Sequence, residues 1–530
     1  MTSGTLAGTT LLVRHSWRRD RVLASLWGLA LVAVAYASAA ATSSLYPTVR
    51  DQVAAAEAIN ASPAIVALYG PILDVTSLGE LAMTKMTVLY SVFVAALFVV
   101  LLRRHTRVEE ESGRAELLGG TAIGRDAPLA SAVVESSAIA VAIGLPTAAV
   151  NVAGGLPLAG SLAFGAGWIG IGLVAIGIGA VASQVSASAR TCGAAAAGAI
   201  GAAYLLRAVG DTSVHWLSWA TPFGWSTQLR AYSDPRWWVL ALYAVLAVAL
   251  LTGAQALRSR RDLGSGLVAA RPGPADAAPG LTDALALALR VHTPTIAVWS
   301  AATAVLGAVL GAIVPNVGDL LDSEAAREVV ARLGGDGAVE RALIAAELSI
   351  VAIAVSCFGI AVIAHGGADE QAGRTELVLA TGTSRARSFG ATLLVALTGA
   401  TWLLAVSGAA VALGYGIVGG DVGDTFGEIL PAALAQAPAA WVVVALAALA
   451  FSVRASWTVA GWGAVALFVT LGQVGELLGL PAVVLGLSPY THTPSMPVEA
   501  FAVVPEMVLT AIAAALLGVS WMRYRTRDLG

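Results

Sequence analysis

The chain has 530 residues, of which 58% are hydrophobic and only 12% are charged, with a net charge of −3 and a mean hydropathy of +0.80. Soluble domains usually carry about 25% charged residues, so this chain cannot cover a water-facing surface. Its apolar residues fall in blocks that reach the ~18 residues a bilayer-spanning helix needs. The composition excludes a soluble globular protein, predicts an all-α integral membrane protein in contact with a lipid bilayer, and indicates no nucleic-acid partner.

The first half begins with residues 6–21, where leucines and a tryptophan are mixed with four arginines. This mixture suits a helix lying at the membrane interface ahead of the first span. Residues 45–82 contain a helix-like stretch and predict short outer helices that cover a transport path. The predicted spans are the apolar blocks at residues 22–41, 83–102, 128–149, 158–182, 192–209 and 238–256.

The second half repeats this layout, with residues 281–291 ahead of its first block and a second outer segment at 315–341. Its predicted spans are residues 295–314, 343–364, 389–418, 429–451, 457–474 and 501–521. Residues 258–280, rich in Gly, Pro and Ala, predict a flexible cytoplasmic linker. The organisation is therefore a six-span half at 1–257, the linker at 258–280 and a second six-span half at 281–530, about twelve spans in all.

Arginines mark one face of the membrane. With twelve spans, most of them fall in loops on the same side, which the positive-inside rule makes cytoplasmic. Both termini then lie in the cytoplasm of a multi-pass protein of the bacterial cell membrane. These arginines are Arg14, Arg18, Arg19, Arg21, Arg103, Arg104, Arg107, Arg114, Arg125, Arg190, Arg258, Arg260, Arg261, Arg374, Arg385, Arg387, Arg454, Arg523, Arg525 and Arg527.

One motif occurs twice. Residues 110–117 read EESGRAEL and residues 370–377 read EQAGRTEL, both fitting E-x-x-G-R-x-E-L. The offset is constant (370 − 110 = 260 and 374 − 114 = 260), and each copy follows the second predicted span of its half. A match at the same topological position in both halves indicates a duplication.

The spacing within the motif predicts a short, charged helix at the membrane surface. Glu110 and Arg114 are four residues apart with the acid first, which favours a helical ion pair, and Glu370 with Arg374 repeats the arrangement. Gly113 and Gly373 remove a side chain where another backbone comes close. One interpretation is a solvated loop helix that stabilises two spans; the duplication favours the other, a docking surface for a partner protein.

With these features the chain resembles the ABC exporter permeases, and more narrowly the fused twelve-span permeases of actinobacteria that export polyketide antibiotics or carry out mycobacterial multidrug efflux. The resemblance rests on the two motif copies, on the layout of nearly the whole chain and, more weakly, on Thr221-Pro222-Phe223-Gly224-Trp225 and Ser488-Pro489-Tyr490. The halves differ after the motif, LLGGTAIG against LVLATGTS, so the two docking sites need not be equivalent.

The resemblance implies a type V ABC exporter fold and a central path between the second and fifth spans of each half. It implies that a separate ATP-binding protein, two copies per chain, drives export of amphiphilic drugs, antibiotics or lipids. ATP and Mg then belong to that partner, and this chain binds no cofactor or metal. The implied coupling residues are Glu110, Gly113, Arg114, Glu116, Leu117, Glu370, Gly373, Arg374, Glu376 and Leu377.

The energy source is expected to lie outside this chain. A nucleotide-binding P-loop has a lysine in G-x-x-x-x-G-K-[ST], and the single lysine, Lys85, stands in Met-Thr-Lys-Met. No H-E-x-x-H, G-x-S-x-G or Cys/His cluster predicts an enzyme, and no catalytic residue is assigned.

An apolar, aromatic path suits amphiphilic substrates. Its candidate residues are Met86, Tyr90, Phe93, Tyr204, Phe358 and Phe468; ordinary packing is the competing interpretation for each. Glu135 and Glu347 lie inside predicted spans, where a carboxylate is a functional candidate. They leave open an alternative, a proton-coupled secondary efflux transporter.

Overall fold

The computed structural model describes residues 4–268, 275–316, 336–419, 422–474 and 481–528, and within these ranges it contains helices and no strand. Eleven of the described helices are long and apolar enough to cross a membrane. The prediction of an all-α integral membrane protein is therefore confirmed. The chain divides into two compact units, Met1–Gly273 and Pro274–Gly530.

The first unit contains six of these candidate spans. The second of them, Leu78–Glu111, comprises three successive helices. The helices are α1 (Thr9–Leu45), α2 (Val49–Ala61), α3 (Pro63–Tyr69), α4 (Leu78–Thr87), α5 (Leu89–His105), α6 (Arg107–Glu111), α7 (Arg114–Gly119), α8 (Ala127–Ala153), α9 (Leu158–Val185), α10 (Ala189–Thr212), α11 (Trp216–Trp219), α12 (Pro222–Gln228) and α13 (Val239–Arg258).

The second unit contains five candidate spans of this length. At the predicted block 457–474 the structure has the apolar helix α20, which runs up to the edge of the described residues at Val474. Its helices are α14 (Ala284–Ile313), α15 (Asp336–Gln371), α16 (Arg374–Leu379), α17 (Arg385–Gly419), α18 (Val422–Leu434), α19 (Ala437–Val453), α20 (Val459–Val474), α21 (Ala482–Leu485) and α22 (Val503–Thr526).

The predicted interfacial segment is not a separate helix. Residues 9–21 belong to α1, which continues unbroken for 37 residues into the first span. At 1.5 Å per residue this helix extends about 55 Å, well beyond the ~30 Å hydrocarbon core. No helix-breaking residue separates the arginine-rich stretch from the apolar block, so the two propagate as one helix.

The predicted outer helices of the first half are present as α2 and α3. The second of them is fastened to α10, the fifth span, at the helix end where carbonyl groups lack intrahelical partners. Tyr204 Oη donates to the Leu68 carbonyl at 2.5 Å, and the buried Arg207 donates to the Ala67 carbonyl at 2.9 Å and pairs with Asp211 at 3.1 Å. Most of the second outer segment, 317–335, lies outside the described residues.

Small residues bring the spans of each unit close together. Helix α14 packs along α17, and a Cβ added at Gly311 would lie 2.2 Å from the Val411 carbonyl oxygen. Gly414 is equally tight against the Ala308 carbonyl oxygen, at 2.1 Å. Glycine is required at both positions by this close approach, as expected where helices pack in lipid.

The first part of the predicted linker contacts the first unit. Its backbone pairs with the end of α9: the amide groups of Leu267 and Val268 donate to the carbonyls of Gln184 and Val185 at 3.0 and 2.9 Å. The flexibility of the linker at 258–280 stays a prediction. Residues 269–274 lie outside the described part of the chain.

Candidate functional site

Each copy of the repeated motif forms a helix break followed by a short helix. Gly113 precedes α7 and Gly373 precedes α16, with φ angles of +74° and +70°. This left-handed conformation ends the preceding helix, and a new one starts at the motif arginine. The motif is therefore a turn between two helices, and the prediction of one continuous charged helix is wrong.

The predicted ion pairs within the motif are absent for the same reason. Glu110 lies on α6 and Arg114 on α7, so their four-residue spacing no longer places them on one helix face. Arg114 instead lies 3.5 Å from Glu109, and Arg374 lies 2.7 Å from Asp369. These alternative pairs are equivalent in the two copies, since each arginine pairs with the acid five residues before it.

The first glutamate of each copy faces its own unit. Glu110 pairs with Arg261 at 2.7 Å and also with Arg107, and Glu370 pairs with Arg527. Only 9% of the Glu110 side chain and 8% of the Glu370 side chain are exposed. In this chain these two residues are therefore internal contacts and not part of an exposed surface.

The short helices α7 and α16 contain no buried residue. The predicted coupling residues Arg114, Glu116 and their counterparts Arg374 and Glu376 are exposed. Leu117 is 77% exposed and Leu377 is 71% exposed, and the two leucines occupy equivalent positions. Each unit thus presents one apolar side chain flanked by opposite charges, an arrangement that a partner protein can recognise.

The motif glycines have open space around them. A Cβ added at Gly113 or Gly373 would meet nothing within 4 Å in this chain. The expectation that these glycines allow another backbone to come close is not met within the described residues. Their positive φ angles supply the physical reason for glycine instead.

The predicted substrate-path residues are spread between packed and open positions. Met86, Phe358 and Phe468 are buried within the apolar cores of their units. Phe93 is 48% exposed and lies beside the half-buried Tyr90, with ring centroids 5.6 Å apart. Tyr204 is engaged with the outer helix α3, as described above. These assignments stay predictions, and Tyr90 with Phe93 offers the most accessible aromatic surface among them.

Glu135 lies in a cluster of acidic and histidine side chains between α1, α5 and α8. Its carboxylate oxygens accept no hydrogen bond from the described residues. The neighbouring Ser16 hydroxyl donates to the Leu12 carbonyl instead. The His105 Nε2 atom lies 3.9 Å from Glu135 and contacts Asp20, which also pairs with Arg104 at 3.0 Å. One ligand atom each from Asp20, His105 and Glu135 lies within 4.8 Å of the others. The Arg104 charge beside Asp20 opposes a bound cation.

Some functional candidates were not singled out from the sequence. Glu347, which was predicted, has one buried carboxylate oxygen without a hydrogen-bond partner among the described residues, and Glu506, which was missed although it lies inside a predicted span, has two. Arg261 and Arg527 were predicted only as members of the basic face. The Arg-Asp-Leu-Gly sequence that each of them begins, at 261–264 and 527–530 just beyond the last span of each unit, is the signal that could have linked them.

Comparison with known proteins identifies relatives over nearly the whole chain. A family model for the C-terminal domain of the multidrug efflux system permease Rv1217c matches residues 281–525. The multidrug efflux system permease protein Rv1217c of Mycobacterium tuberculosis (strain ATCC 25618 / H37Rv) is 38% identical over 524 residues, which cover 98% of this chain and 95% of that protein. The chain is therefore a multi-pass membrane permease that belongs to the multidrug efflux system permease family represented by Rv1217c.

Proposed function

We propose that this chain is the transmembrane subunit of an ATP-driven ABC exporter that moves amphiphilic drugs, antibiotics or lipids out of a bacterial cell. Energy comes from a separate ATP-binding protein, with two copies per chain, one on each motif. ATP and Mg are bound by that partner. Both termini and both motifs lie on the cytoplasmic side, in keeping with the clustering of arginines there.

The observation that carries this proposal is the pair of exposed helices α7 and α16. A helix of six residues without a single fully buried side chain gains little stability from the core of its own unit. Two such helices at equivalent positions, each with an exposed leucine, are accounted for by a partner that buries them. The similarity to a multidrug efflux permease supports the export of drug-like molecules.

The proposed mechanism is alternating access. ATP closes two partner subunits on each other, and the docking helices α7 and α16 move with the surfaces that hold them. Each motif directly follows the second span of its unit, so this movement shifts the inner end of that span. The transport path then opens to the outside, and hydrolysis resets it.

Paired substitutions test the docking surface. We expect Leu117→Asp together with Leu377→Asp to reduce co-purification of the ATP-binding subunit by tenfold or more, because each change places a charge where an apolar contact forms. Since both side chains are exposed, expression and the size-exclusion profile of the permease should not change. Leu263→Asp is the matched control, since Leu263 is 50% exposed but lies outside the motifs. Undiminished binding by the double variant would refute docking at these helices.

The buried cluster of Asp20, His105 and Glu135 favours a second candidate, a proton-coupled efflux transporter. Carboxylates and a histidine in contact inside a membrane protein are typical of proton relays. This candidate predicts transport driven by a pH gradient without any ATP-binding partner, and its loss in Glu135→Gln.

A further inference from the structure

In each unit, an arginine beyond the last span closes on the first glutamate of the motif. Arg261 follows α13, and its two terminal nitrogens donate to the two carboxylate oxygens of Glu110, both at 2.7 Å. Arg527 follows α22, and one of its terminal nitrogens, Nη2, contacts both carboxylate oxygens of Glu370. The fork-like pairing of Arg261, with two nitrogens on two oxygens, fixes orientation as well as distance.

The same arginines also hold the end of a third helix. Arg261 Nε donates to Gln184 Oε1 at 2.8 Å, at the end of α9, the fourth span of the first unit. Arg527 donates to the Phe451 carbonyl at 2.6 Å, at the end of α19 in the second unit. Its guanidinium also stacks over the Phe451 and Tyr524 rings, 5.3 and 5.0 Å from their centroids.

These contacts are shielded from water. The exposed fraction is 4% for the Arg261 side chain and 12% for that of Arg527. Surface ion pairs contribute little, but a shielded, bidentate pair is screened far less by solvent. Each arginine begins the same tetrapeptide, Arg-Asp-Leu-Gly, at residues 261–264 and 527–530, so the contact recurs together with a repeated sequence just beyond the last span of each unit.

We propose that Arg261 and Arg527 are positioning residues that clamp the end of the second span, directly before the glycine turn and the docking helix, to the inner ends of the fourth and last spans of its unit. A displacement of α7 or α16 is then passed to three spans and not only to the second span that precedes it. This inference rests on the proposed function, since it concerns the transmission of movement from an ATP-binding subunit. It also explains why the first glutamate of the motif is turned inward.

The two clamps differ in strength. Glu110 has a second arginine, the fully buried Arg107, which also donates to the Ser186 and Ser265 carbonyls at 2.5 Å. The position equivalent to Arg107 in the second unit (107 + 260 = 367) is Gly367. Loss of Arg261 therefore leaves Glu110 paired, whereas loss of Arg527 leaves Glu370 with only the Tyr524 hydroxyl at 3.5 Å.

Hydrogen exchange on the purified full-length permease tests the clamp without any partner. Arg527→Gln should raise amide exchange in residues 370–379 by about tenfold, and Arg261→Gln should raise exchange in residues 110–119 by less than threefold. Arg523→Gln and Arg260→Gln are matched controls, since both arginines are exposed at the same helix ends. Unchanged exchange in Arg527→Gln would overturn the clamp.

Transport per ATP hydrolysed, measured in proteoliposomes with the ATP-binding subunit, tests transmission. Arg527→Gln should bind that subunit normally but lower the ratio about fivefold. Glu370→Gln, and the double variant of Arg527→Gln with Glu370→Gln, should show the same loss, because each of them removes the same Arg527–Glu370 contact. An unchanged ratio, or additive losses in the double variant, would overturn the inference. If the wild-type chain binds no ATP-binding subunit, the proposed function fails, and the inference about transmission fails with it. The binding assay on the wild-type chain distinguishes this result from a failure of transmission alone.

Discussion

At the scale of single residues, Gly113 and Gly373 show what the repeated motif predicts about the structure and what it does not. The repeat and its constant offset are visible in the sequence, and they identify two equivalent loops. The pairing of Glu110 with Arg114 could not be judged from spacing alone, because one residue in the left-handed region redirects the chain between them. The arginines that do pair with Glu110 and Glu370 come from 151 and 157 residues away. A repeated Arg-Asp-Leu-Gly marks both arginines in the sequence, but it does not show which residues they contact.

Substitutions of Gly373 distinguish an effect of backbone conformation on partner binding from an effect of side-chain size. Gly373→Ala should weaken binding of the ATP-binding subunit about tenfold, since an L-residue in the left-handed region costs roughly 1–2 kcal/mol. Gly373→Asn should be milder, because asparagine tolerates this conformation although it is larger. Titration of each permease variant with labelled ATP-binding subunit measures the order of the binding affinities. Weaker binding by the asparagine variant than by the alanine variant would show that space, and not φ, matters.

At the scale of helices, hydrophobic blocks located the spans well, because burial in a bilayer imposes length and composition on each of them. Continuity was harder to predict. Helix α1 runs through the expected interfacial segment, because no helix-breaking residue ends it there. The first part of the predicted linker pairs its backbone with α9, a tertiary contact that composition does not encode.

Close helix packing in the second unit gives an element-scale prediction. Gly414→Ala places a methyl group about 2.1 Å from the Ala308 carbonyl oxygen, so α14 and α17 must separate. Overpacking of this kind typically costs about 1–3 kcal/mol, and the thermal unfolding temperature in detergent should fall. Gly463→Ala is the control: nothing lies within 4 Å of its added Cβ, and alanine favours the helix α20. Equal unfolding temperatures for the two variants would contradict this packing.

At the scale of the whole molecule, two compact units each carry a motif loop with the same construction: a glycine turn, an outward leucine and an inward glutamate held by an arginine. The sequence alone located both loops and the membrane character of the chain. The sequence could not show which side chains of the motif face their own unit and which are exposed, since this depends on where α13 and α22 end relative to the loops. In the proposed function Leu117 and Leu377 dock the partner, and in the proposed clamp Glu110 and Glu370 are the positioned residues.

The most direct test of an ATP-driven permease is reconstitution of this chain in lipid vesicles with candidate ATP-binding proteins encoded near its own gene. Drug uptake into inside-out vesicles and ATP hydrolysis are measured together, with and without a pH gradient. We predict uptake that requires ATP and the partner, persists when the pH gradient is collapsed, and is lost in the double variant Leu117→Asp and Leu377→Asp. Uptake that follows the pH gradient without ATP, and disappears in Glu135→Gln, would contradict the account and establish proton coupling.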